Sequence, residues 1–232
     1  MAGNRTVPVV EIFGPVLQGE GAMIGQQTLF VRLGYCDFRC RWCDSLYAVL
    51  PEQVRVHAAQ MTPAEIVERL DALNPHTLWI TLSGGNPVLH DLTALVRALH
   101  ERERKIAVET QGTVYREWLA DCEVVTVSPK PPSSGMETNF TQLDRFMRLP
   151  SANLKIVVFD DADFVYARGI HQRYPAVPLY LQVGNTVGQD DTAALLSRLD
   201  WLGQKTLADS TLRTAVVLPQ LHVLLYGNRR GV

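Results

Sequence analysis

No apolar run in this chain approaches the roughly 20 residues needed to cross a bilayer, and its opening MAGNRT is too polar to resemble a secretory signal. Neither sign of charge is in excess. With 22 Lys and Arg against 24 Asp and Glu the formal charge is −2, so nothing marks a surface for nucleic acid. Disulfide potential is equally scant, because three of the 4 cysteines crowd between residues 36 and 43, which makes a poor framework of bridges. The expected compartment is therefore the reducing cytoplasm. No internal repeat or low-complexity tract is evident. What remains is an ordinary globular composition, 47% hydrophobic and 20% charged, and a length of 232 residues that suits one domain with a sizeable core.

The concentration of cysteine is the strongest positive signal. Cys36, Cys40 and Cys43 follow the apolar run 28–33, with three and then two residues between them, so one short loop can present three thiolates to one centre. Zinc would need a fourth ligand nearby to close its tetrahedron. Cys122 is far along the chain and His57 lies well beyond the loop. An iron–sulfur cubane held by three thiolates instead leaves one iron open, a vacancy that S-adenosylmethionine (SAM) can fill through its amino and carboxylate groups. The spacing Cys-x3-Cys-x2-Cys resembles the signature of the radical SAM enzymes. A zinc knuckle and three structural thiols are the competing readings, and Cys122 reads as a buried structural thiol.

Along the chain, strands and helices alternate. Strands are expected at 9–13, interrupted by Gly14-Pro15, and at 27–33, 77–82, 105–108, 124–127, 154–159, 179–183 and 214–218. Helices are expected at 61–73, started by Thr62-Pro63-Ala64-Glu65, and at 90–99, 162–174 and 191–202. The unusual residues sit at or just past strand ends, the positions that share the C-terminal rim of a parallel barrel. A complete eightfold barrel usually takes about 250 residues. The expectation is a single α/β domain over residues 1–232, built as a shortened, open TIM-like barrel, with 46–60 and 131–150 as loops over the rim.

Gly84-Gly85-Asn86-Pro87 resembles the radical SAM Gly-Gly-Glu-Pro element, with Asn86 in place of Glu. Leu17-Gln18-Gly19-Glu20-Gly21, Arg32, Cys43-Asp44-Ser45, Glu109-Thr110-Gln111-Gly112-Thr113, Ser128-Pro129-Lys130 and Pro219-Gln220-Leu221-His222 follow one another in that order. As a set they resemble the 7-carboxy-7-deazaguanine synthases, a radical SAM family of the queuosine and 7-deazapurine pathway. The resemblance runs from residue 11 to the end of the sequence. It implies conversion of 6-carboxy-5,6,7,8-tetrahydropterin to 7-carboxy-7-deazaguanine with loss of ammonia, a [4Fe–4S] cluster on the three cysteines, SAM as a reusable cofactor, and magnesium. It also implies a homodimer and an electron donor such as flavodoxin, with neither nucleic acid nor membrane as partner.

Carried over residue by residue, Leu17, Gln18, Gly19, Glu20, Arg32, Thr110 and His222 would meet substrate. The pterin edge suits paired donors and acceptors, and a carboxylate suits the planar fork of Arg32. Gly84, Gly85, Gly112, Ser128, Pro129, Lys130 and the segment Gln182, Val183, Gly184, Asn185 would face SAM, the last four departing from the commonest family pattern. Ser45, where many relatives carry Thr, would offer magnesium an oxygen. His222 also reads as a structural histidine, Ser45 as a loop cap and Arg32 as a surface ion pair. The tail with Arg229 and Arg230 either closes over the substrate or is solvated. A glycyl-radical-enzyme activase shares the cysteine loop, and a zinc-stabilised binding module is the reading without catalysis.

Overall fold

The computed structural model describes residues 5–186, 191–227 and 229–231; of the tail, Asn228 and Val232 lie outside the described residues. The chain enters on β1 (Val7–Leu17) and returns antiparallel on β2 (Gln27–Leu33). After the cysteine loop come α1 (Leu46–Val49), α2 (Pro51–His57) and β3 (Ala59–Met61). The alternation continues with α3 (Pro63–Leu73), β4 (Trp79–Gly84), α4 (Thr93–His100), β5 (Lys105–Thr110) and β6 (Val124–Val127). It closes with α5 (Phe140–Phe146), β7 (Ala152–Val158), α6 (Asp161–Arg173), β8 (Leu179–Val183), α7 (Thr192–Ala208), β9 (Val216–Leu218) and α8 (Leu221–Tyr226).

Among the described residues the strands form one sheet in the order β3-β1-β2-β4-β5-β6-β7-β8-β9. Pairing is parallel from β2 to β9 and antiparallel where β1 meets β2 and β3. β3 and β9 remain as edges, so the expected open, partial barrel is what forms. No helix among the described residues is long and apolar enough to cross a membrane.

Two expectations are corrected. Gly14-Pro15 does not end the first strand; β1 runs on to Leu17 and absorbs the dipeptide as a register shift between Phe13 and Val16. Nor are 46–60 and 131–150 plain loops. The first folds as α1, α2 and β3, because Ala48, Val49 and Val54 have apolar cover and β3 pairs with β1. The second contains α5, which buries Leu143 and Phe146 and is capped by the Asn139 side chain.

The two faces of the sheet differ chemically, as the period of 2 along a strand allows. Leu29, Val31, Leu33, Ile80, Leu82, Ile106, Val108, Val125, Val127, Leu154, Ile156 and Val158 join the apolar core, as does Cys122. The alternate positions carry Thr28, Arg32, Thr81, Ser83, Glu109, Thr126 and Lys155. Thr28 Oγ1 meets Thr81 Oγ1 at 2.9 Å across β2 and β4. The inner face is thus polar while the outer face packs against helices, and the site is built on the polar one.

Candidate active site

Cys36, Cys40 and Cys43 all line one cavity beyond the carboxyl ends of the parallel strands. Their loop begins at Tyr35, whose φ of 74° turns the chain sharply out of β2. It is then fastened to the Gly84-Gly85-Asn86 segment by backbone bonds, Gly85 N to Leu33 O at 3.0 Å and Asn86 N to Tyr35 O at 2.7 Å. The approach is so close that a Cβ on Gly84 or Gly85 would lie 2.1 Å from the carbonyl oxygen of Leu33 or Tyr35, respectively. Both glycines line the cavity, and both are also demanded by backbone packed on backbone.

Asn86 explains its own departure from the superfamily element. Fully buried, it donates through Nδ2 to Asp37 Oδ1 at 2.9 Å and Thr113 Oγ1 at 3.0 Å, and accepts from Thr110 Oγ1 at 2.8 Å. A carboxylate here would face that of Asp37 with nothing to donate. Gln111 Nε2 reaches the same Asp37 oxygen at 2.6 Å and Cys36 Sγ at 3.2 Å. Donors on a sulfur suit a cluster-bound thiolate. Left as free thiols, all three cysteines are pushed up by burial, Cys43 to about 11. Among the described residues no three His, Cys, Asp or Glu side chains come together as they would around a single ion, whereas a cubane spreads its thiolates more widely. The donor set fits the cluster.

One end of the cavity is built around Lys155. From the inner face of β7 its ammonium donates to Glu20 and, at 2.6 Å, to Glu109 Oε1, with its side chain 6% exposed. Gln220 Nε2 holds the other oxygen of Glu20 at 2.6 Å. Burial works against charge on Glu20, but the charges of Lys155 and His222 and these hydrogen bonds outweigh it and bring its carboxyl down to about 2. Burial likewise opposes the ammonium of Lys155, which Glu109 and Glu20 nevertheless hold above its ordinary value. Lys130, bonded to Ser128 Oγ at 2.9 Å, is lowered by its burial.

The other end gathers around Arg32. Its register partner across the β1–β2 pair is Glu11, and Arg32 Nε meets Glu11 Oε1 at 2.6 Å. Tyr47 OH donates to the same oxygen at 2.9 Å, and Arg230 Nη2 lies 3.7 Å from the other. Arg32 is therefore neither a surface ion pair nor an unpartnered clamp. One edge is held by Glu11, and among the described residues its Nη atoms make no hydrogen bond where the side chain lines the cavity. Beside it Ser45 Oγ donates to Asp44 Oδ1 at 2.5 Å, a pair of hard oxygens of the kind magnesium prefers.

Of the remaining candidates, Leu17, Glu20, Thr110, His222, Ser128, Lys130 and Asn185 line the cavity. The others lie behind its wall. Gln18 turns its side chain onto its own loop, Oε1 accepting from Gly19 N at 2.7 Å. Gly19 packs so tightly that a Cβ would lie 2.1 Å from His222 Nδ1, and its carbonyl accepts from Leu221 N at 3.0 Å, which joins the first and last motifs of the chain. Gly112, at φ +81°, faces Val127 and Leu143 rather than the cavity. Gly184 makes room for the Phe159 ring, Gln182 bonds Pro219 O at 3.4 Å, and neither Val183 nor Pro129 reaches the wall.

Sequence reasoning missed Lys155, Glu11 and Tyr47, and it quoted Glu109, Gln111 and Gln220 within their motifs without giving them a role. The available signal was a lone Lys inside the apolar run 152–158. Two buried polar atoms on the cavity wall, Ser83 Oγ and Gln220 Oε1, have no partner among the described residues. Such atoms are expected where a ligand or water completes the site.

The Radical SAM superfamily model matches residues 31–128, a span that contains the cysteine loop and the glycine segment. A 7-carboxy-7-deazaguanine synthase from Bacillus cereus is 44% identical over 97% of this chain and 99% of its own length; one from Bacillus subtilis is 44% identical over 98% and 99%. The chain belongs to the 7-carboxy-7-deazaguanine synthase family. Radical SAM proteins carry a [4Fe–4S] cluster and SAM, and the wall of this cavity offers the three thiols that such a cluster needs. In fold the chain is also similar to the crystal structure of QueE from Escherichia coli, with a TM-score of 0.72 at 24% identity over 94% of this chain and 96% of that one.

Proposed function

We propose that this family member converts 6-carboxy-5,6,7,8-tetrahydropterin to 7-carboxy-7-deazaguanine with release of ammonia, reusing SAM and requiring magnesium. The observation that supports this most is the polarity of one cavity. At one end two carboxylates surround a single ammonium, an excess of acceptors that suits the N–H-rich pyrimidinone edge of a pterin. At the other end Arg32 keeps donors available, which suits the pterin's carboxylate. A small heteroaromatic acid is complementary to both ends at once.

On this reading Glu20 accepts from the pterin edge, with Leu17, Thr110 and His222 beside it and Gln18 and Gly19 fixing the loop from behind. Cys36, Cys40 and Cys43 hold the cluster. Gly84, Gly85, Ser128, Lys130 and Asn185 border SAM, while Gly112, Pro129, Gln182, Val183 and Gly184 shape the backbone behind it. Ser45, with Asp44, offers oxygen to magnesium. When bound there, the cluster and SAM would supply radical chemistry toward substrate C6. Lys155 keeps Glu20 ionised and aimed, and Arg32 fixes which end of the substrate carries its acid. The same reading includes a single domain, a homodimer, a flavodoxin-type electron donor and a cytoplasmic setting.

Anaerobic reconstitution followed by turnover with the carboxypterin tests it. A brown protein that forms the deazaguanine and ammonia while SAM is regenerated is the expected result. A reconstituted protein that cleaves SAM but leaves the pterin intact would reject the substrate assignment, and a colourless protein holding one zinc would reject radical chemistry altogether.

A further inference from the structure

The tail arginine is placed in an unusual way. The Cζ of Arg230 stands 3.6 Å from the centroid of the Tyr47 ring, and its Nη2 lies 3.7 Å from Glu11 Oε2. The first is a close stacking contact that fixes the plane of the guanidinium. The second is beyond hydrogen-bonding distance. The side chain is 50% exposed, and an ion pair of that length and exposure contributes little by itself. Among the described residues no hydrogen bond occupies any of the five N–H groups that an arginine carries.

Glu11 shows what this arrangement is suited to hold. Its two oxygens are divided between two guanidiniums, Arg32 on Oε1 and Arg230 on Oε2. Two guanidiniums share that one carboxylate, so both keep unengaged N–H donors beside the cavity, which Arg230 and Gly231 also line. Asp44, the next carboxylate, accepts from Ser45 and also acts on Arg32 through its charge, but it makes no ion pair with Arg230 among the described residues. We propose that Arg230 is a second carboxylate-binding residue: stacked on Tyr47 at the cavity mouth, it meets the acid group of a heterocyclic monocarboxylate together with Arg32. This rests on the substrate reading above and adds to it a residue that determines specificity for the acid.

The test compares two ligands in the reconstituted holoprotein with SAM: the carboxypterin and its neutral 6-carboxamide analogue. The parent is expected to prefer the acid. Arg230→Gln should weaken acid binding about tenfold, the worth of one charge-assisted hydrogen bond, while carboxamide binding stays at the parental value. Arg230→Lys should recover part of the loss, because it restores charge but not the fork. Equal weakening of both ligands would mean that Arg230 merely fastens the tail, and unchanged acid binding would mean that it is solvated; either result overturns the proposal. The parent's turnover of the carboxypterin is a separate arm. If the parent and Arg230→Gln differ in preference for acid over amide while neither turns the pterin over, the substrate reading fails and the acid-binding role of Arg230 stands.

Discussion

The two ends of the cavity use the same chemistry in opposite proportions. At Lys155 one buried cation serves two carboxylates, Glu109 on a strand whose outer face is locked into the core and Glu20 on the loop after β1. At Arg32 two cations serve one carboxylate, on the antiparallel flank and the tail, with Arg230 half exposed. Removing the minority partner is therefore costly at the first end, where it strands buried like charges. At the second it is mild, where solvent is near and the survivors are cations. Ion pairs can in this way be structural at one point and available for exchange at another, and burial and the ratio of partners decide which.

The largest expected effect comes from breaking the first end. Lys155→Met preserves the length of the side chain and removes its charge, leaving Glu20 and Glu109 facing each other. A loss of about 3 kcal/mol in folding stability is expected. Its pH dependence follows from the sign of the shifts. In the parent, Glu20 is lowered from 4.5 to about 2, so its contribution is present above pH 4.5 and is lost as pH falls towards 2. In the variant, Glu20 lacks its cation and burial is left to raise its folded value above the unfolded one, so the deficit grows as pH increases. Denaturant melts at about pH 5 and about pH 8 should show the larger deficit at the higher pH; a deficit independent of pH would mean that Lys155 matters through packing alone.

The second end should yield less stability and more affinity. Arg32→Lys keeps a charge near Glu11 but cannot offer two parallel donors, so carboxypterin binding should weaken by about 2 kcal/mol. Arg32→Ala should weaken it further. Both variants should melt closer to the parent than Lys155→Met does, since Glu11 retains Arg230 and Tyr47. Anaerobic binding isotherms beside melting curves decide the matter. Parental affinity in Arg32→Ala would remove Arg32 from the site, and a melt as poor as that of Lys155→Met would abolish the contrast between the ends.

How much of this was legible in the sequence depends on how local each feature is. The cysteine loop, the glycine pair and the capped start of α3 each lie within a few residues, and each formed where their spacing placed them. The strand–helix alternation was legible for the same reason. The charge partners were not. Glu11 finds Arg32 only through a non-local antiparallel register, and a register shift between Val9 and Glu11 sets which residue faces it. Lys155 finds Glu20 across 135 positions of sequence. The polar inner face was present in the period-2 pair Thr81 and Ser83 and in the single Thr126 and Lys155 of their strands, yet beside so many Val, Leu and Ile residues these strands read as wholly buried. The family resemblance assigns Gly112 and Gly184 to SAM, whereas the space they leave is filled by Val127 and Phe159.

The smallest expected effect sharpens the comparison most. Glu11→Gln removes the carboxylate that Arg32 and Arg230 share while keeping an oxygen that can accept from Arg32 Nε and from Tyr47 OH. If Glu11 competes with the substrate's acid for the two guanidiniums, neutralising it should strengthen carboxypterin binding a few-fold. The repulsion it exposes between the arginines should cost the fold less than about 1 kcal/mol, because Arg230 is half exposed and can move into solvent. If Glu11 instead serves to orient Arg32, with charge as the essential element, the same variant should bind the acid more weakly. The two outcomes have opposite signs, so a binding isotherm on Glu11→Gln separates a placeholder from a positioning residue. The matching change at the other end, Glu109→Gln, should loosen Lys155 and weaken binding, because there the carboxylates are the majority and the cation they share depends on both.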